Sequence, residues 1–225
     1  MALGLQTESA GGDFLPIVKF DARAGRFFRR DRANNENTDV DITRAFKAVL
    51  DMENIEVGFI NFATGSAPDF VLVPLGEPMP HKPSGEGYKQ GFRMTVKLGA
   101  ECGGDVREFS SCAKVVIKGL DLLHEAYGVG EKLNQGKLPV VVLKDTIPVT
   151  SEGKQKSTNY QPVFEIVGWA PRPKDLIAQP RSRSALAPAV PVHSAPSTGS
   201  TIVPPPGPTP LPANNLQMAD AEDFG

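Results

Sequence analysis

The chain has 225 residues, 40% of them hydrophobic, enough for one domain with its own core plus an appendage. Its 24 basic and 26 acidic residues leave a net charge of −2, so attraction to a polyanion must come from local clusters and not from the whole chain. Two cysteines, Cys102 and Cys112, with no CxxC and no cysteine–histidine cluster, argue against zinc.

Residues 1–12 are small and polar and read as a flexible arm without the charged start and apolar stretch of a signal peptide. FLPIVKF and RFFRRDR, joined by the turn-like DARAG, read as two extended segments over residues 13–32. RANNENTD, residues 32–39, reads as a polar loop. TRAFKAVLD, residues 43–51, fits helix or strand; strand is favoured because MEN makes a short turn into IEVGFINF, residues 55–62. There Ile55, Val57 and Phe59 share one face, and Ile60 and Phe62 the other. DFVLVPL, residues 69–75, is a further strand, and residues 76–91 form a long Gly/Pro loop.

QGFRMTVKLG alternates cleanly, with Phe92, Met94, Val96 and Leu98 on one face and Arg93, Thr95 and Lys97 on the other. A short strand VREFS follows. Val116, Leu120, Leu123 and Tyr127 recur at helical spacing and predict one helix over residues 112–127, capped by Ser110 or Ser111 and ended by Gly128. LPVVVLKDTIPVT (residues 138–150) and YQPVFEIVGW (residues 160–169) read as strands flanking a hairpin-like loop, with Val140 to Leu143 buried on both sides.

Residues 178–216 are dominated by Pro, Ala, Ser and Thr and cannot bury enough apolar surface to order themselves, so they read as a disordered linker. Residues 217–225 carry Asp220, Glu222, Asp223 and Phe224, an acidic, aromatic tip suited to a basic, pocketed partner. The domain therefore spans residues 13–177. Its fold class is mainly β: an OB-like five-stranded barrel with one helix between its third and fourth strands, plus an N-terminal strand extension.

Nothing in the chain reads as an enzyme. His81, His124 and His193 lie in a loop, a helix and the linker, GEGYKQG lacks the spacing of a phosphate cradle, and Asp39 and Asp41 read as solvated residues before they read as metal ligands. Neither a cofactor nor a metal is expected. Lys19, Arg23, Arg26, Arg29, Arg30 and Arg32, against Asp21 and Asp31, give +4 within fourteen residues. If that segment is extended, Arg26, Phe28 and Arg30 share a face opposite Phe27, a cation–ring–cation pattern that suits phosphates and stacked bases. The alternative is a solvated basic hairpin with both Phe packed inward. Arg93 and Lys97 offer a second cationic face; Tyr88, Lys89, Lys154, Lys156 and Tyr160 flank it in loops, and Trp169 ends the last strand.

VREFSSCAKVVIKGLDLLHEAY, followed by LPVVVLKDTIPV and YQPVFEIVGWAPRPKDL, resembles bacteriophage and prophage single-stranded DNA-binding proteins with an OB fold. The Pro/Ala-rich tail ending in ADAEDFG is similar to the acidic tails of bacterial and phage single-strand binders. It departs from them in having three acids, no Pro before Phe224 and a trailing Gly225. The resemblance implies a protein that coats single-stranded DNA in replication, recombination and repair and recruits partner proteins through its tip. It implies a cytoplasmic location, in the bacterial host if phage-encoded, and no membrane; a homo-oligomer is compatible with it. The rival readings are a protein-interaction or virion-associated β-domain, a metal-dependent nuclease, and an RNA binder.

Overall fold

The computed structural model describes residues 15–33, 36–63, 67–150 and 156–176. The N-terminal arm at 1–12, the linker at 178–216, the tip at 217–225 and Lys154 lie outside the described residues.

Within them the chain is mainly β, with ten strands and one α-helix. The strands are β1 (Ile17–Asp21), β2 (Arg26–Ala33), β3 (Glu36–Asp41), β4 (Lys47–Leu50), β5 (Glu56–Asn61), β6 (Asp69–Pro74), β7 (Lys89–Leu98), β8 (Val106–Ser111), β9 (Lys137–Thr150) and β10 (Thr158–Pro171); the helix α1 is Lys114–Glu131. All ten strands belong to one open sheet in the order β10-β9-β4-β7-β8-β1-β2-β3, with β5 paired to β6 and β7. Among the described residues only the β1–β8 pairing is parallel. The expected closed five-stranded barrel is therefore not what the sheet forms. Its edge at β8 is taken by β1, and β2 and β3 extend the sheet beyond it.

The β4 and β5 strands line up on one side of β7, with Leu50 opposite Val96 and Glu56 opposite Arg93. A 3₁₀ turn at Met52–Asn54 joins them, so together they act as one bent strand. The alternation in β7 holds: Phe92, Met94, Val96 and Leu98 are buried, and Arg93, Thr95 and Lys97 are half-buried on the other face. The core is aromatic where the N-terminal hairpin meets the rest. Fully buried Phe27 stacks on Phe46 at 4.0 Å, meets Phe20 edge-on at 5.0 Å and tilts against Phe109 and Phe164. Burying a Phe is worth about 1.5–3 kcal/mol, so this cluster anchors β1 and β2 to the sheet.

Several boundaries differ from the sequence expectation. The polar loop expected over residues 32–39 gives way at both ends to strand: Arg32 belongs to β2, and Glu36–Asp41 form an edge strand whose Asn37, Asp39 and Asp41 stand opposite Arg32, Arg30 and Phe28. Its residues have poor strand propensity, and cross-strand charge pairing compensates. The Gly/Pro loop is shorter than 76–91, because Lys89, Gln90 and Gly91 already pair with β5. Around the buried Val141, the neighbours Val140, Val142 and Leu143 are only half-buried, so β9 is not sealed on both faces.

The helix starts after Ala113 without a side-chain cap; Ser111 Oγ instead accepts from the Ala113 N–H at 3.2 Å. It does not stop at Gly128 but runs through Gly130. Val116, Leu120, Leu123 and Tyr127 are its buried face. Two glycines bring it close to β10. A Cβ at Gly119 would meet the Pro162 carbonyl at 2.5 Å, and one at Gly130 would run into the Trp169 ring. These glycines act in packing and not as terminators.

Candidate nucleic-acid interface

The register places three of the hairpin's basic residues, Lys19, Arg26 and Arg30, on a single surface. In β2, Phe27 points into the core and Phe28 outward, so Arg26, Phe28 and Arg30 share the outer face. Lys19 stands directly opposite Phe28 on β1, and its Nζ lies 5.7 Å from the Phe28 ring centroid. The structure thus brings Lys19, Arg26, Phe28 and Arg30 together. Arg29 falls on the other face, bound to Asp31 at 2.9 Å and to the Cys102 carbonyl at 3.2 Å.

This face is not a bare cationic trough. Asp39 receives Arg30 through two hydrogen bonds, at 2.8 and 3.0 Å, and Lys19 at 2.5 Å. The Arg30 hydrogen bonds, followed by those from Lys19, hold the Asp39 carboxyl down at about 2. Asp41 pairs with Arg26 at 2.9 Å and accepts from the Thr43 hydroxyl and backbone, which lower its pKa further than Arg26 does. Counted over residues 17–41, the +4 of the basic segment falls to +1. Asp39 and Asp41, considered above as metal ligands, are engaged with these cations, and among the described residues no group of three or more His, Cys, Asp or Glu side chains gathers as a metal site.

Arg93 and Lys97 lie on the same sheet face, three strand spacings from β2, about 14 Å along the sheet. Arg93 is held by the buried Glu56 at 2.8 Å, and Lys97 pairs with Asp175. Between the two basic groups sits Glu108, opposite Thr95 and Ile17. Burial pushes its carboxyl up, partly offset by Arg93.

No family model, no curated protein and no solved structure matches this chain.

The flanking residues have more specific positions than their loops suggested. The Tyr88 hydroxyl donates to Asp69, and Asn61 Nδ2 donates to the Glu86 carbonyl, so the Gly/Pro loop is pinned to the end of the β5–β6 hairpin. Lys89 is exposed on the first residue of β7, and Lys156 is exposed next to the start of β10. Tyr160 does not stand free: its N–H donates to the Ala22 carbonyl at 2.6 Å, and its ring lies on Gly25, where φ is 66° and an added Cβ would meet the ring at 2.9 Å. The β9–β10 hairpin is thereby seated on the β1–β2 turn, beside Arg23 and Arg26. Trp169 is separated from this group, tilted against Tyr127 at 5.7 Å and packed on the helix. Asp220, Glu222, Asp223 and Phe224 lie outside the described residues.

Three groups went unnoticed in the sequence. Arg107, only 5% exposed, binds Asp31 at 2.6 Å, Asp105, and the Ile17 and Arg30 carbonyls. It ties β8 to the basic hairpin. Arg172 clamps the fully buried Asp51 and the exposed Glu53. The third is the pairing of two rings, Phe70 on β6 and Phe62 just beyond the end of β5. The pairing of β3 did have a legible signal: about the Asn34–Asn35 dipeptide, Asp39 mirrors Arg30 and Asp41 mirrors Phe28, which lies between the cations Arg26 and Arg30.

Proposed function

We propose that this domain is a non-catalytic single-stranded DNA-binding module. The observation that carries the reading is the outer face of β2, where a half-exposed Phe28 sits between Arg26 and Arg30 with the Lys19 ammonium beside its ring. Rings stack bases and cations meet phosphates with little sequence preference. The ion pairs to Asp39 and Asp41 are solvent-exposed and so worth no more than about 1 kcal/mol each, which lets phosphate oxygens replace the carboxylates at small cost.

An OB-like core is part of this proposal. It is supported by five strands, β4/β5, β7, β8, β9 and β10, with the only described helix between the third and the fourth. In such a fold the second and third strands, here β7 and β8, present the ligand face, and the β1–β2–β3 strands would widen it. The tip with Asp220, Glu222, Asp223 and Phe224 would recruit replication and recombination proteins. No described helix is long and apolar enough to cross a membrane.

Titration of a fluorescently labelled oligo(dT) by anisotropy tests the reading. Binding is expected at low salt and is expected to weaken steeply between about 50 and 200 mM salt as counterions are released. No binding in dilute buffer would sink it. Competition with oligo(U) separates DNA from RNA preference. Deleting residues 178–225 is expected to tighten binding, if the acidic tip competes for the cations.

A second reading, a protein-interaction or virion-associated β-domain, is favoured by the charge balance of the same face. Lys19, Arg26, Arg30, Arg93 and Lys97 each have an acidic partner. Failure of the oligonucleotide titration would leave that reading standing.

A further inference from the structure

The β5–β6 hairpin carries two rings, Phe62 and Phe70, on the same face as the cations Lys89 and Arg93 of the adjoining β7, away from the basic hairpin. Ile60 pairs across to Phe70 on one side and to Lys89 on the other, so these three residues form one cross-strand row. Phe62 continues the same face just beyond the end of β5. Next along the sheet, Gly58 and Gly91 stand directly opposite each other and contribute no side chains. Into that gap Arg93 leans over Phe70, its guanidinium carbon 4.8 Å from the ring centroid. The pose is fixed from below: both Nε and Nη2 of Arg93 bind the buried Glu56 carboxylate at 2.8 Å. Phe62 meets Phe70 edge-on, with centroids 6.2 Å apart and planes at 88°.

The group is partly open to water. Ile60 beneath it is completely buried, yet Phe62 keeps 45% of its surface in water and Phe70 is half-buried. A ring that merely sealed the hairpin would lie flat on Ile60. Phe62 instead stands perpendicular to Phe70 and leaves ring surface open to solvent, with the exposed Lys89 on the same face. An open ring, a second ring under a guanidinium and an exposed ammonium fit an unpaired nucleobase with its phosphate. The cations argue against an occupant that is apolar throughout.

We infer that Phe62 and Phe70, with Arg93 and Lys89, form a base-stacking subsite for single-stranded DNA, separate from the Phe28 face. The inference rests on the proposed DNA-binding reading and names where a base would sit. Phe62 supplies the stacking surface, Arg93 sets the Phe70 ring in place, and Lys89 meets phosphate. Both ring sites would then engage one strand, across a sheet face that carries Thr95 and Lys97 and, between the two basic groups, Glu108.

The test uses the full-length protein with oligo(dT) and with an abasic oligonucleotide of equal length, for wild type, Phe62→Ala and Phe70→Leu. Phe62 is exposed, and Phe70→Leu keeps apolar bulk under Arg93, so both variants are expected to fold; circular dichroism checks this. Loss of one stacked base is expected to weaken oligo(dT) binding by about 5- to 100-fold. Abasic binding is expected to stay unchanged, because only phosphates are read. Ultraviolet cross-linking of an iodouracil-substituted strand is expected to label the peptide that contains Phe62. If wild type binds oligo(dT) while both variants match it and cross-links fall only at Phe28, the subsite is wrong and the DNA reading survives. If wild type binds neither strand at low salt, both fall, and the open rings belong to a protein contact.

Discussion

The ion pairs on the β1–β2–β3 face and those around Asp51 and Arg107 use the same side-chain types under opposite conditions. Lys19, Arg30 and Asp39 keep about a third of their side-chain surface in water, whereas Asp51 has none exposed and Arg107 only 5%. Water competes for the first group and screens it, so its members can change partners. In the second group one member of each pair, Asp51 or Arg107, has been stripped of water while its partners keep about a third or more of their surface in it, so the buried charge depends on the partner it has. A surface that exchanges carboxylate for phosphate can bind and release; a buried clamp can only hold the fold. That contrast separates the residues proposed for binding from those that position them.

The contrast is most exposed to test at Arg172. Arg172→Ala leaves Asp51 buried and short of its main partner, and is expected to cost about 3–5 kcal/mol in urea unfolding followed by Trp169 fluorescence. A loss below about 1 kcal/mol would place this clamp with the surface pairs. Asp31→Asn removes one of the carboxylates on Arg107 and is expected to cost about 1–3 kcal/mol, since Asp105 and two carbonyls remain.

Glu108 lies between the two classes. Its pKa is raised in the folded state, mainly by burial, so the protonated carboxyl favours folding. The stability this gives is present below the unfolded value and is lost as pH rises through the raised one. Glu108→Gln is therefore expected to melt higher than wild type at neutral pH, with the two converging at acid pH. A variant that melts lower at neutral pH would show that the carboxylate is needed in its charged form.

The smallest effect on stability and the most informative one on binding is expected at Asp39. Asp39→Asn should change stability by less than about 1 kcal/mol. Because the carboxyl of Asp39 is lowered to about 2, the pair's contribution is present above the unfolded value and is lost as pH falls through about 2, so the variant should differ from wild type only above that range. Freeing Lys19 and Arg30 should raise oligo(dT) affinity at low salt, with the gain fading at high salt. Weaker binding in the variant would mean that Asp39 orients the cations for the strand and does not occupy them.

Much of the strand content was legible because the core obeys period-two alternation. Phe92 to Leu98 and the opposed Phe27 and Phe28 read directly from spacing, as did the buried stripe Val116, Leu120, Leu123 and Tyr127 of the helix. The candidate site was legible only in part. Phe28 with Arg26 and Arg30 could be seen, since residues two apart in a strand share a face whatever surrounds them. Phe62 was assigned to a strand face, but its open position depends on what does not cover it, and no local pattern records that.

By itself the sequence determined the mainly β character, the single helix and its buried stripe, and which side chains of each strand lie together. These follow from backbone periodicity, a property of neighbours along the chain. The tertiary structure decided that β3 neutralises the basic hairpin, that β1 occupies the edge of β8 and leaves the sheet open, and that the helix runs past Gly128 so that Gly130 receives Trp169. Each of these depends on which distant segment arrives at a given edge or face, and the energies of burial and charge pairing choose that partner only once the chain is folded.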